Sequence, residues 1–315
     1  MVNCATMKTE TDNNITIIEN EPMSAHTSWR TGGVARRYVK AESLSALADF
    51  IKTVSPDEQL LWMGLGSNTM IRDGGFDGTV IATQGVMTQL ELLDENTVYV
   101  GVGVTDAKLA RFCAKHNLVG AGFFAGIPGL VGGALAMNAG AFGGETWPLV
   151  VEVETLNRKG EITRRDASEF KYSYRHVEGP ADEWFVSATL RLEKQLEGQQ
   201  ENNNTIDVKQ LLAKRAASQP TGVASCGSVF RNPEGHYAAQ LIEECGLKGK
   251  RIGGAVISEK HANFIINDNK ATSTDIERLI QLIKKVVREQ KGVELEREVR
   301  IVGKASTEDR QGGEG

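Results

Sequence analysis

The chain has few cysteines, and their spacing follows no metal-binding or disulfide pattern. Only four of its 315 residues are cysteines, namely Cys4, Cys113, Cys226 and Cys245. No two of them form a CxxC pair, and none has a histidine at the intervals typical of zinc sites. This spacing argues against a zinc site and against a disulfide framework. We therefore expect reduced thiols and no metal site.

An excess of basic residues and a targeting or membrane-spanning segment are also lacking. The net charge is −5 and the pI is about 5.7, whereas nucleic-acid-binding domains are usually basic. The first residues contain acids and no apolar core of a signal peptide. Residues 118–142 are apolar and long enough to span a membrane, but Pro128, Asn138 and seven glycines interrupt them. We expect a cytoplasmic protein without a nucleic-acid partner or a membrane span, and nothing implies an obligate protein partner.

The common nucleotide-binding loops are missing as well. No GxxxxGK[ST] motif occurs, and neither Gly64-Leu65-Gly66 nor Gly101-Val102-Gly103 completes a GxGxxG motif. A dinucleotide, if one binds, does not occupy a Rossmann turn.

Glycine is abundant in residues 122–144, GFFAGIPGLVGGALAMNAGAFGG, where it accounts for eight of 23 positions and no residue is charged. Glycine lets a ligand approach the backbone N–H groups closely, and such groups can hold a pyrophosphate without lysines. The loop GLGSN at residues 64–68 follows an apolar strand and offers the same groups. Glycine-rich packing and a plain turn between two strands are the alternatives for these segments.

Periodicity predicts several elements. Ser43 is expected to cap a helix that ends before Pro56, and Thr274 with Glu277 to form the capping box of a long helix through Gln290. Residues 293–302 alternate as a strand, which places Glu294, Glu296, Glu298 and Arg300 on one face. These charges can pair with each other on the sheet surface or converge on a substrate. The polar residues 193–205 have no periodicity and indicate a domain boundary.

Six segments together resemble the UDP-N-acetylenolpyruvoylglucosamine reductase family. They are SWRTGG at 28–33, GLGSN at 64–68, GIPGLVGGALAMNAGAFGGE at 126–145, YSYR at 172–175, CGSVFRNP at 226–233 and LEREVR at 295–300. The similarity extends from about residue 23 to residue 303, with the motifs in the order of the family. A short acidic turn at residues 178–183 stands where longer members insert a loop with a tyrosine, so the chain resembles the shorter subtype.

The resemblance implies an α+β fold. It consists of a two-subdomain, non-Rossmann FAD-binding domain of the PCMH/vanillyl-alcohol-oxidase type, followed by an α/β substrate-binding domain. The expected divisions are a polar N-terminal tail at 1–22, the FAD-binding domain at 23–194 with its subdomains split near 85–95, a linker at 195–206, the substrate-binding domain at 207–304 and a disordered tail at 305–315.

The resemblance also implies the reaction. Members use non-covalently bound FAD and NADPH as reductant to convert UDP-N-acetylglucosamine enolpyruvate to UDP-N-acetylmuramate, a committed step of bacterial peptidoglycan synthesis. The implied catalytic residues are Arg175, Ser228 and Glu298. The implied substrate contacts are Arg231, Asn232 and Arg300. The implied FAD contacts are Gly64, Gly66, Ser67, Asn68, Thr69, Ile71, Gly126, Ile127, Pro128, Gly129, Gly132, Gly133, Asn138, Gly140 and Ala141.

Two rival functions fit parts of the pattern. An FAD oxidase of the same fold often attaches its flavin through a histidine in the first glycine loop, but residues 64–72 contain no histidine. A non-catalytic sensor of UDP-sugars would have lost the serine, the arginine or the glutamate, and all three are present. The reductase is therefore the prediction.

Overall fold

The computed structural model describes residues 9–12, 14–195 and 208–306. The predicted linker at 195–206 lies outside the described residues except for Gln195, and so does the predicted tail except for Ala305 and Ser306. Among the described cysteines, Cys113, Cys226 and Cys245 form no disulfide.

A five-stranded mixed sheet forms the first layer, with the strand order β1-β2-β3-β6-β4. Its strands are β1 Thr9–Asp12, β2 Ile15–Pro22, β3 Val34–Ala41, β4 Leu60–Met63 and β6 Phe76–Ala82, while β5 Thr69–Ile71 lies outside this sheet. Helix α1, Leu44–Thr53, connects β3 to β4, which both pair in parallel with β6. Ser43 accepts a hydrogen bond from the Ala46 N–H and caps α1 as the sequence predicts.

The prediction of a tail at 1–22 is wrong for the residues of β1 and β2. Residues 15–22 form β2, which pairs antiparallel along most of β3. The reason is that Ile15 is buried, while Ile17 and Ile18 pack against buried residues on the two sides of the sheet. The polar residues Glu19 and Asn20 at the end of the strand hid this pattern in the sequence.

A second, antiparallel sheet has the strand order β13-β12-β16-β8-β7. Its strands are β7 Leu90–Leu92, β8 Thr97–Gly101, β12 Val150–Asn157, β13 Ile162–Asp166 and β16 Glu183–Arg191. Helices α2, Asp106–Lys115, and α3, Val131–Met137, contribute buried side chains to the same core. The chain changes sheets between Ala82 and Leu90, and the division of subdomains near 85–95 stays a prediction.

Short strand pairs and the C-terminal elements complete the fold. The pairs are β9 Leu118–Val119 with β17 Glu193–Lys194, β10 Gly140–Ala141 with β11 Gly144–Glu145, and β14 Lys171–Ser173 with β15 His176–Glu178. The C-terminal elements are α4 Val208–Ser218, α5 Ala238–Glu244, β18 Arg251–Ile252, β19 Ala255–Ile257, β20 Ile265–Asn267, α6 Ser273–Lys291 and β21 Arg300–Val302. Strands β18, β19 and β20 form an antiparallel sheet against which α6 lies. The described residues also form four short 3-10 helices, Met23–Ala25, Gly122–Gly126, Trp147–Leu149 and Ala167–Glu169.

Several contacts connect the C-terminal part to the first part, among them contacts of β21, Trp29 and α4. Strand β21 pairs in parallel with β5. The Trp29 side chain is fully buried in the C-terminal core and donates a hydrogen bond to the Ile265 carbonyl, 2.7 Å away. Helix α4, expected to open the substrate-binding domain, lies against the 3-10 helix Gly122–Gly126. The domain limits predicted from the sequence therefore stay a prediction.

Two local predictions for the C-terminal part are wrong. The capping box of α6 uses Thr272 and Asp275, two residues earlier than the predicted pair of Thr274 and Glu277. The reason is that the Asp73 carboxylate accepts hydrogen bonds from the Ser273 and Thr274 N–H groups, so Thr274 lies inside the helix. The strand predicted at residues 293–302 is confined to β21, and its earlier part makes only an isolated bridge between Arg297 and Phe230.

No helix in the described parts of the chain is long and apolar enough to cross a membrane.

Candidate active site

The first glycine loop, residues 64–68, leaves its backbone donors free. It follows directly on β4, and within the described residues none of its N–H groups donates to a protein acceptor. Gly66 has a φ of +61°, and a Cβ atom there would clash with the His26 carbonyl oxygen, so only glycine fits. Five consecutive free N–H groups at the end of a strand are suited to an anion such as the pyrophosphate of FAD.

The second glycine loop, residues 126–133, uses its donors differently from our expectation. The N–H groups of Ile127, Gly129, Gly132 and Gly133 donate to protein carbonyls, so they cannot cradle a phosphate. The glycines of this loop instead leave its backbone uncovered by side chains. A Cβ built on Gly133 has no neighbour within 4 Å, and one built on Gly129 would lie 3.7 Å from the Ser67 hydroxyl of the first loop. The two loops therefore face each other, and the second can supply a flat apolar contact.

The first loop is also connected to the predicted catalytic glutamate. The Asn68 amide donates to the Glu298 carbonyl oxygen at 3.2 Å, and the Asn68 carbonyl accepts the Arg300 N–H at 3.0 Å. Ile71 and Thr69 lie on β5, where the Ile71 side chain is fully buried in the core. A group bound by this loop would thus lie close to the C-terminal segment with Glu298.

Asn138 is a structural residue as well as a predicted FAD contact. It has a φ of +45° and its side chain is fully buried. Its amide donates to Glu145 and to the Ser173 carbonyl, both at 3.1 Å, while its oxygen accepts the Trp147 N–H at 3.0 Å. The side chain therefore holds the hairpin of β14 and β15, and a contact between Asn138 and FAD stays a prediction for its backbone.

Arg175 lies at the tip of that hairpin with a φ of +56°. Its Nε atom lies 3.2 Å from Glu298 Oε1, and its Nη2 atom donates to the Gly140 carbonyl at 2.7 Å. The guanidinium also lies over the Tyr174 ring at 5.1 Å. Side-chain exposure is 17% for Arg175 and 13% for Glu298, so both charges are mostly shielded from water.

Burial and pairing act on Glu298 in opposite directions. Burial raises the pKa of Glu298 above its ordinary value, and the nearby guanidinium of Arg175 offsets only part of that rise. The carboxyl group therefore takes up a proton more readily than an exposed glutamate does.

Ser228 lies next to this pair. The Val229 carbonyl accepts the Glu298 N–H at 2.8 Å, which places the residue after Ser228 directly against Glu298. Arg231 donates from Nη2 to the Arg175 carbonyl at 3.0 Å. The Ser228 hydroxyl makes no side-chain hydrogen bond to any residue that the structure describes, so it remains available to a ligand. The structure thus brings Arg175, Ser228, Arg231 and Glu298 together.

The other predicted substrate contacts lie at the edge of this group. The Asn232 side-chain oxygen accepts the Ala238 N–H at 3.0 Å and thereby helps to begin α5, and the Arg300 side chain is exposed. Their contact with substrate stays a prediction.

Sequence reasoning missed Asp106, which lies beside the second glycine loop. Its side chain is fully buried, neither carboxylate oxygen has a hydrogen-bond partner, and a Cβ built on Gly129 would lie 2.9 Å from its Oδ2 atom. Burial raises the pKa of Asp106 well above its ordinary value of 3.8. In the sequence, the residue resembles an ordinary acidic first-turn residue behind the Thr105 cap, and nothing there indicates its burial.

We expect Asp106→Asn to stabilise the protein at alkaline pH. The carboxyl group of Asp106 is neutral in the folded protein and ionises on unfolding, so the free energy of unfolding of the wild type falls as the pH rises above 3.8. The dipole of α2 stabilises the ionised carboxylate in the folded protein by only about 0.3–1 kcal/mol, which offsets a small part of this fall. The amide does not titrate, so the variant should gain about 1–3 kcal/mol at pH 8, and the gain should shrink towards pH 4. Urea denaturation at several pH values measures this.

The exposed Asp49 on α1 provides the control. Asp49→Asn should change stability by less than about 0.5 kcal/mol at every pH. If the free energy of unfolding of Asp106→Asn depends on pH in the same way as that of the wild type, Asp106 is ionised in the folded protein.

No group of three or more metal-ligating side chains occurs within residues 9–12, 14–195 and 208–306.

Comparisons with known proteins identify the family of the chain. Residues 35–166 match the family model of an FAD binding domain, and residues 219–302 match that of the C-terminal domain of UDP-N-acetylenolpyruvoylglucosamine reductase. The reductase of that name from Legionella pneumophila (strain Lens) is 54% identical over 301 residues, which cover 95% of this chain and 96% of the relative. The one from Methylococcus capsulatus is 52% identical over 290 residues, which cover 92% and 94%.

A solved structure is similar over nearly the whole chain. The crystal structure of UDP-N-acetylenolpyruvylglucosamine reductase from Thermus caldophilus superposes with a TM-score of 0.75 at 27% identity, and it covers 94% of this chain and 99% of its own. The similarity therefore includes both parts of the fold.

Proposed function

The chain belongs to the UDP-N-acetylenolpyruvoylglucosamine reductase family, and from this premise we propose how its residues divide the reaction. The overall reaction consumes UDP-N-acetylglucosamine enolpyruvate, NADPH and a proton, and it yields UDP-N-acetylmuramate and NADP⁺. FAD, when bound, supplies the hydride that it takes from NADPH to C3 of the enolpyruvyl group. Since it uses a sugar nucleotide and NADPH for peptidoglycan synthesis, we propose that the enzyme works in the cytoplasm.

The free N–H groups of residues 64–68 are the observation that supports the cofactor site. They would hold the FAD pyrophosphate, while Gly129 and Gly133 would contact a flat part of the cofactor. Ser67 would add a hydroxyl donor from the same loop. Nothing in this set requires a covalent link to the protein.

Arg175 would bind the carboxylate of the enolpyruvyl group. Its planar fork of donors suits a carboxylate better than a lysine would. In the structure, the Arg175 Nε atom is directed at Glu298, so the substrate carboxylate would compete with Glu298 for the guanidinium. A second negative charge beside Glu298 disfavours its ionised form further. Glu298 would then be a neutral donor that stabilises the enolate oxygen.

Ser228 would donate the proton to C2. Hydride addition at C3 leaves negative charge shared between C2 and the carboxylate, and a proton on C2 completes the lactyl ether. A serine hydroxyl is a weak acid, so its alkoxide needs nearby donors. Arg231 can provide one, since its Nε atom is buried and has no hydrogen-bond partner among the described residues. Solvent returns the proton to Ser228 after turnover.

The carrying observation is the meeting of Arg175, Glu298 and the Ser228 segment, which come from three distant parts of the chain. The test is spectroscopic. Anaerobic NADPH should bleach the yellow protein, and UDP-N-acetylglucosamine enolpyruvate should restore its colour. An oxidase would recolour with oxygen at least as readily, and a sensor would not bleach. Absence of colour and of FAD uptake would overturn the proposal.

A further inference from the structure

Asn263, just before β20, forms two hydrogen bonds to a single residue of the Ser228 segment. Its Oδ1 atom accepts the Phe230 N–H at 2.9 Å, and its Nδ2 atom donates to the Phe230 carbonyl at 2.8 Å. Its own carbonyl accepts the Val229 N–H at 2.9 Å. The side chain is buried, with 4% exposure. Asn263 therefore forms the hydrogen bonds that a neighbouring strand would form on this side of residues 229–230.

The C-terminal segment with Glu298 lies on the opposite side of the same residues. The Glu298 N–H donates to the Val229 carbonyl at 2.8 Å, and the Arg231 N–H donates to the Glu296 carbonyl at 2.9 Å. Residues 229–231 are thus held between Asn263 and residues 296–298. A change on the Asn263 side would alter the distance between Ser228 and Glu298.

The residue before Ser228 has no side chain that could fix its neighbour. Gly227 has a φ of +74°, and a Cβ built on it has no neighbour within 4 Å. The hydrogen bonds of Val229 and Phe230 therefore contribute to the position of the Ser228 hydroxyl. A misplacement of about 1 Å in a reacting group can cost about 10² in rate.

We propose that Asn263 is a positioning residue for proton transfer, which holds Ser228 at the place where its hydroxyl reaches C2 of the substrate. Asn263 acts through Val229 and Phe230. The inference rests on the role of Ser228 proposed above.

The main test is Asn263→Leu, which has a similar volume and forms neither side-chain hydrogen bond. Stopped-flow absorbance separates the two half-reactions of the FAD-loaded enzyme. Reduction by NADPH should stay within about twofold of the wild type, because it does not need Ser228. Reoxidation by UDP-N-acetylglucosamine enolpyruvate should slow by about 10- to 100-fold, with a larger solvent isotope effect.

Asn267 provides a matched control. Its amide donates to the Trp29 carbonyl at 2.8 Å and its oxygen accepts the Ala271 N–H at 2.7 Å, so it also forms two side-chain bonds to the backbone. Asn267→Leu should lower the unfolding temperature to a similar degree and leave both half-reactions within twofold of the wild type. Asn263→Asp keeps the acceptor and loses one donor, so its reoxidation should be slowed by an intermediate factor.

The outcomes separate two failures. If reduced wild-type enzyme is not reoxidised by the enolpyruvyl nucleotide, the proposed function fails and this inference fails with it. If the wild type reacts and Asn263→Leu reacts equally fast, or if Asn263→Leu and Asn267→Leu slow both half-reactions alike, only the positioning role is overturned. Where Asn263→Leu does not fold, Asn263→Asp decides, and a wild-type rate of reoxidation in that variant overturns the role.

Discussion

Replacing Ser228 with alanine should lower turnover by about 10² to 10⁴, the range that general acid catalysis usually contributes. The variant keeps Arg175 and Glu298, so it should still bind the substrate carboxylate. Its reduction by NADPH should remain near the wild-type rate, because proton donation to C2 belongs to the second half-reaction. The measurement is stopped-flow absorbance of the flavin in each half-reaction, together with steady-state kcat and KM.

Ser225 offers a control in the same loop. Its hydroxyl accepts the Gly227 N–H at 3.2 Å and so contributes to the loop without lying beside Glu298. Ser225→Ala should keep kcat within about threefold, since it removes one ordinary hydrogen bond of about 1 kcal/mol. Reoxidation of Ser228→Ala at the wild-type rate would assign the proton to another donor.

Local patterns were sufficient to predict several elements of this fold. The Ser43 cap and the long helix predicted through Gln290 depend on neighbouring residues, and α6 ends at Lys291, where Gly292 has the left-handed conformation that ends helices. The motifs also predict which residues react, and the structure places Arg175 and the segment that contains Ser228 against Glu298, while the catalytic roles stay a prediction. The family itself was predicted from these segments and is confirmed by relatives above 50% identity.

Contacts between distant segments could not be predicted in this way. Alternation at residues 293–302 is equally consistent with a strand and with an extended segment that lacks a continuous partner, and only the fold shows that the Glu298 N–H pairs with Val229. The free donors of residues 64–68 and the occupied donors of residues 126–133 look alike in sequence, since both loops are rich in glycine. The burial of Asp106 and the bonds of Asn263 likewise depend on residues far away in the chain.

Glu298 is expected to have the second large effect on turnover. The pH dependence of turnover distinguishes a role as a neutral donor from a role as an ionised base. As a neutral donor to the enolate, it should lose function when it ionises. Burial raises the pKa of Glu298, so the neutral form persists to higher pH than for an exposed glutamate, and turnover should fall as the pH rises through that pKa. A role as an ionised base would give the opposite slope.

Substitutions at Glu298 distinguish the same two roles by their effect on kcat. Glu298→Ala should lower kcat by about 10² to 10³, the usual loss for one donor to a developing oxyanion. Glu298→Gln keeps a neutral donor, so it should retain more activity than alanine and lose the alkaline decline of kcat. Glu294→Gln is the matched control, because the Glu294 side chain is 53% exposed and pairs with Lys284 at 3.0 Å, and it should leave both rate and pH profile unchanged. If Glu298→Gln is as inactive as Glu298→Ala, the carboxyl group acts in its ionised form, and enolate stabilisation then falls to Arg175 alone.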